Sequence, residues 1–360
     1  STLSSSSAAS DVYKRQLLNR LLLFIMALCL GSLLVRMHLP IPFLLGGLLT
    51  ALLCKTLTHR SDVSWPKQWR EYALMVAGYG IGSTFSSDTW NNFLAELVGV
   101  AEATIVILAA SMVLAVITAK LARENIKSCI MGMLPGGMTL TMLLCEDDKE
   151  VNPNVVMVMQ ILRLLGVVIT VPFLVIWLLH AQVIGSSVAL PNHGGMHWLV
   201  VVPLSILGSF IATKIHMPTP KLLGPILATA AFSVFAGGVQ PVPFWLMAAA
   251  QASIGLFMGM QLDADRIVKT EKMVPYILIG TAILIVVSIG MANVLSARYG
   301  FSLVTAFLAM APGGIAEMSL AGMSMGENVS IILTYQLVRV LVINIFIPPL
   351  LAWWFKDKQA

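Results

Sequence analysis

The sequence predicts an all-α integral membrane protein of two tandem, inverted repeats, each with about five transmembrane helices plus one re-entrant segment broken by Pro-Gly-Gly. Three observations predict it. The 360 residues are 58% hydrophobic and only 11% charged, less than half the charged share usual in soluble domains. Apolar runs of spanning length recur from Leu17 to Phe355, and the longest polar gap, Lys55 to Glu71, is too short to hold a soluble domain. A set of short motifs then returns at an offset of 176 to 178 residues.

Residues 1–16, STLSSSSAASDVYKRQ, are polar and Ser-rich and unlike the rest of the chain. DVYKRQ resembles the translation of a transposon end used in sequencing libraries, so this stretch is read as an adapter-like, non-native segment without function. The first repeat, 17–186, has apolar segments at 17–35, 41–57, 72–87, 94–119, 128–145 and 154–180. The second, 193–355, has partners at 198–213, 222–239, 244–262, 273–296, 303–325 and 329–355.

Motif identities carry the pairing. MHLPIPFLLG and IHMPTPKLLG align His38 with His216, Pro40 with Pro218, Pro42 with Pro220 and Gly46 with Gly224, offset 178. Gly78 and Gly82 meet Gly255 and Gly259, and Pro135 meets Pro312, at 177. Gln160 and Arg163 of QILRLL meet Gln336 and Arg339 of QLVRVL at 176. Self-similarity at one long period marks a duplicated architecture.

Charge decides the orientation. Cytoplasmic loops are enriched in Lys and Arg. Twelve crossings would put 13 of the 22 such residues inside, 7 outside and 2 in the membrane. If each Pro-Gly-Gly segment enters and leaves on one side, the counts become 18, 2 and 2. Five crossings per half is an odd number, so the halves become inverted repeats with both termini cytoplasmic. The expected setting is a bacterial cytoplasmic membrane.

The breaks are where chemistry is expected. A continuous helix over 128–145 would be about 27 Å long, but Pro135, Gly136 and Gly137 divide it into two short arms that reach towards mid-bilayer and return. Pro312, Gly313 and Gly314 divide its partner. Such backbone is tolerated at membrane depth only in protein or beside a wet cavity. Arg163 and Arg339 lie near the middle of apolar runs, three residues after Gln160 and Gln336 and on the same helix face. They suit either anion binding or the tying down of broken-helix carbonyls. Arms beginning after Gly137 and Gly314 would offer free amides to an anion. Glu317, one turn past the second break, has Leu140 as its counterpart. A lone carboxylate there suits proton or sodium coupling, or else a permanent ion pair with Arg339 or Arg163. Glu102 is expected to snorkel to the surface, and His38 and His216 to cap helix ends.

Other classes find little footing. There is no P-loop, GxSxG, HExxH or dinucleotide fingerprint, so no enzyme activity and no cofactor are expected. Six scattered histidines, with His193 and His197 in a glycine-containing loop, make no convincing metal site, which disfavours a monooxygenase. No direct nucleic-acid contact is expected. The expected partners are the lipid bilayer, a small-molecule solute and a proton or sodium ion, with self-association left open.

With PGG followed by QILRLL, PGGIAEM by QLVRVL, and PxPxLLG in both halves, residues 17–355 resemble the AbrB-type membrane protein family, built of two duplicated domains. The resemblance implies a label of gene-expression regulator or of ammonia monooxygenase. It also implies similarity to antiporters and anion transporters with inverted repeats and broken helices. The first half departs from the pattern, because PGGMTLTML has no acidic residue. The leading expectation is an ion-coupled secondary transporter or exporter of a small anionic organic solute. Its expected site is Gly136, Gly137, Gly313 and Gly314 backbone, Arg163 and Arg339 with Gln160 and Gln336, and Glu317 as coupling group. A membrane-embedded regulator acting through a partner is the alternative.

Overall fold

Proline-flanked turns set the first corners of the molecule. In the computed structural model, described for residues 2–58, 64–85, 87–135, 150–181, 198–236 and 238–356, every regular element is helical. Helix α1 (Thr2–Arg36) stops where the Leu39 amide donates to Leu34 O and that of His38 to Val35 O. Helix α7 (Trp198–Lys214) stops in the same way, Met217 donating to Ala212 O and His216 to Thr213 O. These are Schellman caps. Both histidines take the left-handed backbone the cap requires, each with φ 54°. Three residues later Ile41 (φ 49°) and Thr219 (φ 45°) share a second left-handed position, a costly one for β-branched side chains. Helices α2 (Pro42–Thr58) and α8 (Pro220–Ala236) follow, each opened by proline.

The centre is made by exchange between the two halves. Helix α3 (Lys67–Gly82) packs on α8, and α9 (Phe244–Met260) packs on α2. Glycines permit the approach. A Cβ on Gly78 would lie 2.6 Å from Leu222 O, and one on Gly82 2.6 Å from Ile226 O. On the other side, a Cβ on Gly259 would lie 2.8 Å from Leu48 O, and one on Gly255 would overlap Leu44 O. Each contact has its counterpart at the repeat offset. Lys55 donates to Met260 O (2.6 Å) and Leu262 O at the end of α9, while Ser233, its counterpart, donates to Phe85 O beyond the end of α3 at 2.9 Å. Lys55 therefore neutralises a helix C-terminus. Lys55→Met is expected to cost about 1 kcal/mol, read as a lower unfolding midpoint, with Ser233→Ala costing less.

A second group of helices carries the breaks. Helix α4 (Ser87–Ala122) packs on α5 (Ile126–Met133), which packs on α6 (Pro153–Trp177). After α10 (Ala264–Lys269) and a 3-10 turn (Glu271–Met273), α11 (Val274–Tyr299) crosses α4 and α6. Helices α12 (Leu303–Met310) and α13 (Ile315–Ser324) lie against α14 (Val329–Lys356). The segment 303–325 is two helices, divided at Pro312, Gly313 and Gly314 as the sequence leads one to expect. The ends of each broken segment touch. Lys127 pairs with Glu150 at 2.9 Å, and the Asn152 amide donates to Ser128 Oγ at 2.9 Å. In the second half Thr305 donates to Glu327 Oε2 at 2.6 Å, and the Asn328 amide donates to Thr305 Oγ1 at 3.2 Å.

Five helical stretches are long and apolar enough to cross a membrane: Gln16–Arg36, Val98–Ala122, Pro153–Trp177, Glu271–Tyr299 and Val329–Phe346. The 17-residue helices α2, α7, α8 and α9 are about 25 Å long, short of the hydrocarbon thickness. Helix α3 begins at Lys67, five residues before the apolar run at 72 suggests.

Candidate functional site

The second break is described in full. Helix α12 is capped by Ser302 and ends at Ala311 (φ −53°, ψ 135°), and α13 restarts after Gly314 (φ −83°, ψ 155°). A helix that stops in a buried place leaves its last carbonyls without donors. Here α14 supplies them. Gln336 Nε2 donates to Leu308 O (2.8 Å) and Ala311 O (3.1 Å). Arg339 Nη1 donates to Met310 O (3.2 Å) and Ala311 O (3.0 Å), and Nη2 to Gly313 O (3.3 Å) and to Gln336 Oε1.

The first break is held likewise as far as it is described. Helix α5 ends at Leu134 (φ −64°, ψ 128°). Gln160 Nε2 donates to Met131 O at 3.2 Å and Arg163 Nη1 to Met133 O at 2.5 Å. Met131 and Met133 are the counterparts of Leu308 and Met310 at offset 177. Gly136 and Gly137 lie outside the described residues, as do Leu140, His193 and His197.

The guanidiniums thus tie down the breaks, and among the described residues no carboxylate lies at ion-pair distance from either. Arg163 and Arg339 are 5% and 3% exposed. The ion pairs of the described residues, Lys67–Glu71, Lys127–Glu150, Asp263–Arg266 and Glu102–Arg298, lie elsewhere. Nε of each arginine is buried without an acceptor among the described residues. The positive charge of Arg163 also acts on Arg339, so the two halves bring their arginines within electrostatic reach. Beside Arg339 lies a cavity of about 10 Å³ lined by Thr104, Met310 and Tyr335, room for one water molecule.

Glu317 sits in the first turn of α13, buried, with its carboxylate folded back towards Gly314. Among the described residues it forms no ion pair with Arg163 or Arg339. The cation whose charge acts on it is Arg70, in the first turn of α3. Arg70 reads in the sequence as a loop charge, because it precedes the apolar run; no local signal sets it apart. Glu102 does not snorkel alone but takes both its oxygens to Arg298 Nη1, at 2.7 and 2.8 Å. Among the described residues no three His, Cys, Asp or Glu side chains form a group that could hold a metal ion.

Five spanning-length apolar helices, with short buried helices whose end carbonyls are met from within, are the features of an α-helical membrane protein. The chain belongs to the family described as "Transition state regulatory protein AbrB", whose model matches residues 43–355. "Uncharacterized protein YhjN" of Bacillus subtilis (strain 168) is 24% identical over 299 residues, 79% of this chain and 78% of that protein. "Putative regulator AbrB" of Escherichia coli (strain K12) is 24% identical over 210 residues, 58% of this chain and 60% of that protein.

Proposed function

We propose that the protein is an ion-coupled secondary transporter, not an enzyme, moving a small anionic organic solute through two inverted repeats with re-entrant Pro-Gly-Gly segments. One observation carries the anionic part: two buried guanidiniums, Arg163 and Arg339, within electrostatic reach of one another and, among the described residues, without a carboxylate at ion-pair distance. Buried like charges without a counter-ion are costly, and an anionic solute near the two breaks would offset that cost. Gly313 and Gly314, with Gly136 and Gly137 of the first half, would offer backbone to it, while Gln160 and Gln336 keep the arginines in place. Glu317 is the group to couple solute to a proton or sodium ion.

The contacts that favour inversion are specific. Lys55 on Leu262 O, and Arg298 on Glu102, join positions that twelve crossings would place on opposite membrane faces. The Lys127–Glu150 pair likewise favours entry and exit of the first broken segment on one side. Single cysteines at 146–150 are expected to label with a membrane-impermeant reagent from the cytoplasmic face, and those at 326–328 from the opposite face. Labelling of both loops from the outer face would restore twelve spanning segments.

Flux into proteoliposomes tests the function. Carboxylate uptake is expected to follow an imposed ion gradient and to fall at least tenfold in Glu317→Gln, Arg163→Ala and Arg339→Ala. Uptake that survives all three contradicts the proposal. The family description and the name of the Escherichia coli relative favour a second reading, a regulator that senses a solute and acts through a partner. It would show solute binding without flux, and a partner lost on substituting Lys67 or Arg266 in the short basic loops.

A further inference from the structure

Helix α13 is ten residues long and starts at Gly314, so the amides of its first turn have no carbonyl one turn back to bond. Such a terminus carries positive partial charge and accepts an anion. Here the anion is the chain's own. The Glu317 carboxylate is folded back over that terminus, where a Cβ on Gly314 would fall on Oε2. The side chain is 8% exposed, and among the described residues it pairs with no other side chain at ion-pair distance.

Arg70 supplies a second, independent feature. Its guanidinium lies 4.7 Å over the Phe257 ring of α9, and its charge acts on Glu317 from beyond ion-pair distance. Stacking engages the face of a guanidinium and leaves its edge N–H groups for an acceptor. A partly buried cation therefore acts, from beyond ion-pair distance, on a buried carboxylate at a helix N-terminus. Of the other charged and titratable groups on the surrounding helices, Lys67 pairs with Glu71 and Tyr72 is exposed. On α3, Glu71 acts on Arg70, and Tyr79 donates to Gln240 O at 3.0 Å. On α14, Arg339 is held on Gly313 O and Tyr335 lines the cavity beside it. Helix α12 has no titratable residue.

We infer that Glu317 is an internal plug: ionised, it fills the N-terminus of α13; protonated, it yields that terminus and the Arg70 edge to the carboxylate of a solute. An ionised Glu317 and an incoming carboxylate would be like charges in a nearly dry place, so both cannot stay charged there. One proton taken from water by Glu317 therefore accompanies each monocarboxylate, and the pair enters with no net change of charge. This rests on the transport reading only for its use; the linked binding stands without flux. Within that reading it makes the coupling ion a proton and the solute a small monocarboxylate.

The test uses the full chain in detergent with acetate as probe. Calorimetry across a pH series gives the affinity, and an indicator dye in weak buffer counts protons. The expected result is one proton taken up per acetate bound, with affinity rising about tenfold per unit fall in pH while Glu317 is ionised in the free protein. Glu317→Gln should bind acetate with no proton uptake and a flat pH profile, and Arg70→Gln should bind it more weakly at every pH. Acetate binding to the unaltered protein without proton uptake overturns the plug and leaves the carrier reading to the flux assay. Loss of binding in a Glu317→Gln protein that stays monodisperse also overturns it, as does no acetate binding at any pH.

Discussion

Arg339→Ala is expected to lower stability by about 3 kcal/mol, as one side chain makes three charge-assisted hydrogen bonds to carbonyls of the break and each such bond lost costs about 1 kcal/mol or more. The three are Met310 O, Ala311 O and Gly313 O. Arg339→Lys should recover only part of that loss, because an ammonium cannot reproduce the planar fork. Gln336→Leu should cost less, since Ala311 O keeps its bond from Arg339. Steric trapping or reversible unfolding in mixed micelles reads the order Ala worst, Lys intermediate. A fully stable Arg339→Ala protein would show that the guanidinium does not hold the break. The same ranking decides how a flux measurement is read, since lost uptake in Arg339→Ala counts against binding only in protein that is still folded.

The second large effect is expected at the helix exchange. In Gly255→Val the new side chain must enter the backbone of α2 at Leu44 O, and since overpacking commonly costs 1–3 kcal/mol, a loss of about 3 kcal/mol is expected. Gly78→Val meets Leu222 O and Pro225 on the opposite side and should cost a similar amount. Gly290→Ala on α11 is the internal comparison: nothing lies within 4 Å of its added methyl, and it should be neutral or stabilising by up to about 1 kcal/mol. Equal costs at Gly290 and Gly255 would remove close backbone approach as the cause.

Much of this was legible because the signals are local. Proline and glycine in PGG end a helix wherever it is placed, and α12 stops one residue before Ala311. Gln336 and Arg339, three apart on one face, had to point together. What those donors spend themselves on was not legible. Anion binding and carbonyl satisfaction ask for the same residue types at the same spacing, and only coordinates separate them. Arg70 escaped because hydropathy windows begin a helix at its first apolar run, whereas α3 takes Lys67, Trp69 and Arg70 into its first turn. Glu150 and Glu327 escaped too, being polar residues at segment ends, although each meets the start of the segment it closes, Glu150 at Lys127 and Glu327 at Thr305. No single-sequence pattern announces which helix of one half lies on which helix of the other.

That exchange has a consequence for biosynthesis. The surface of α2 from Leu44 to Leu48 is complete only when Gly255 and Gly259 arrive, and the surface of α3 at Gly78 and Gly82 only when Leu222 and Ile226 arrive. While the ribosome works through the intervening residues, α2 and α3 present lipid or a chaperone with grooves cut for backbone, not for acyl chains. Neither half is then expected to mature by itself. A nascent chain arrested before residue 220 should stay sensitive to membrane proteases, and one extended past residue 262 should acquire resistance in a single step, when both grooves are filled.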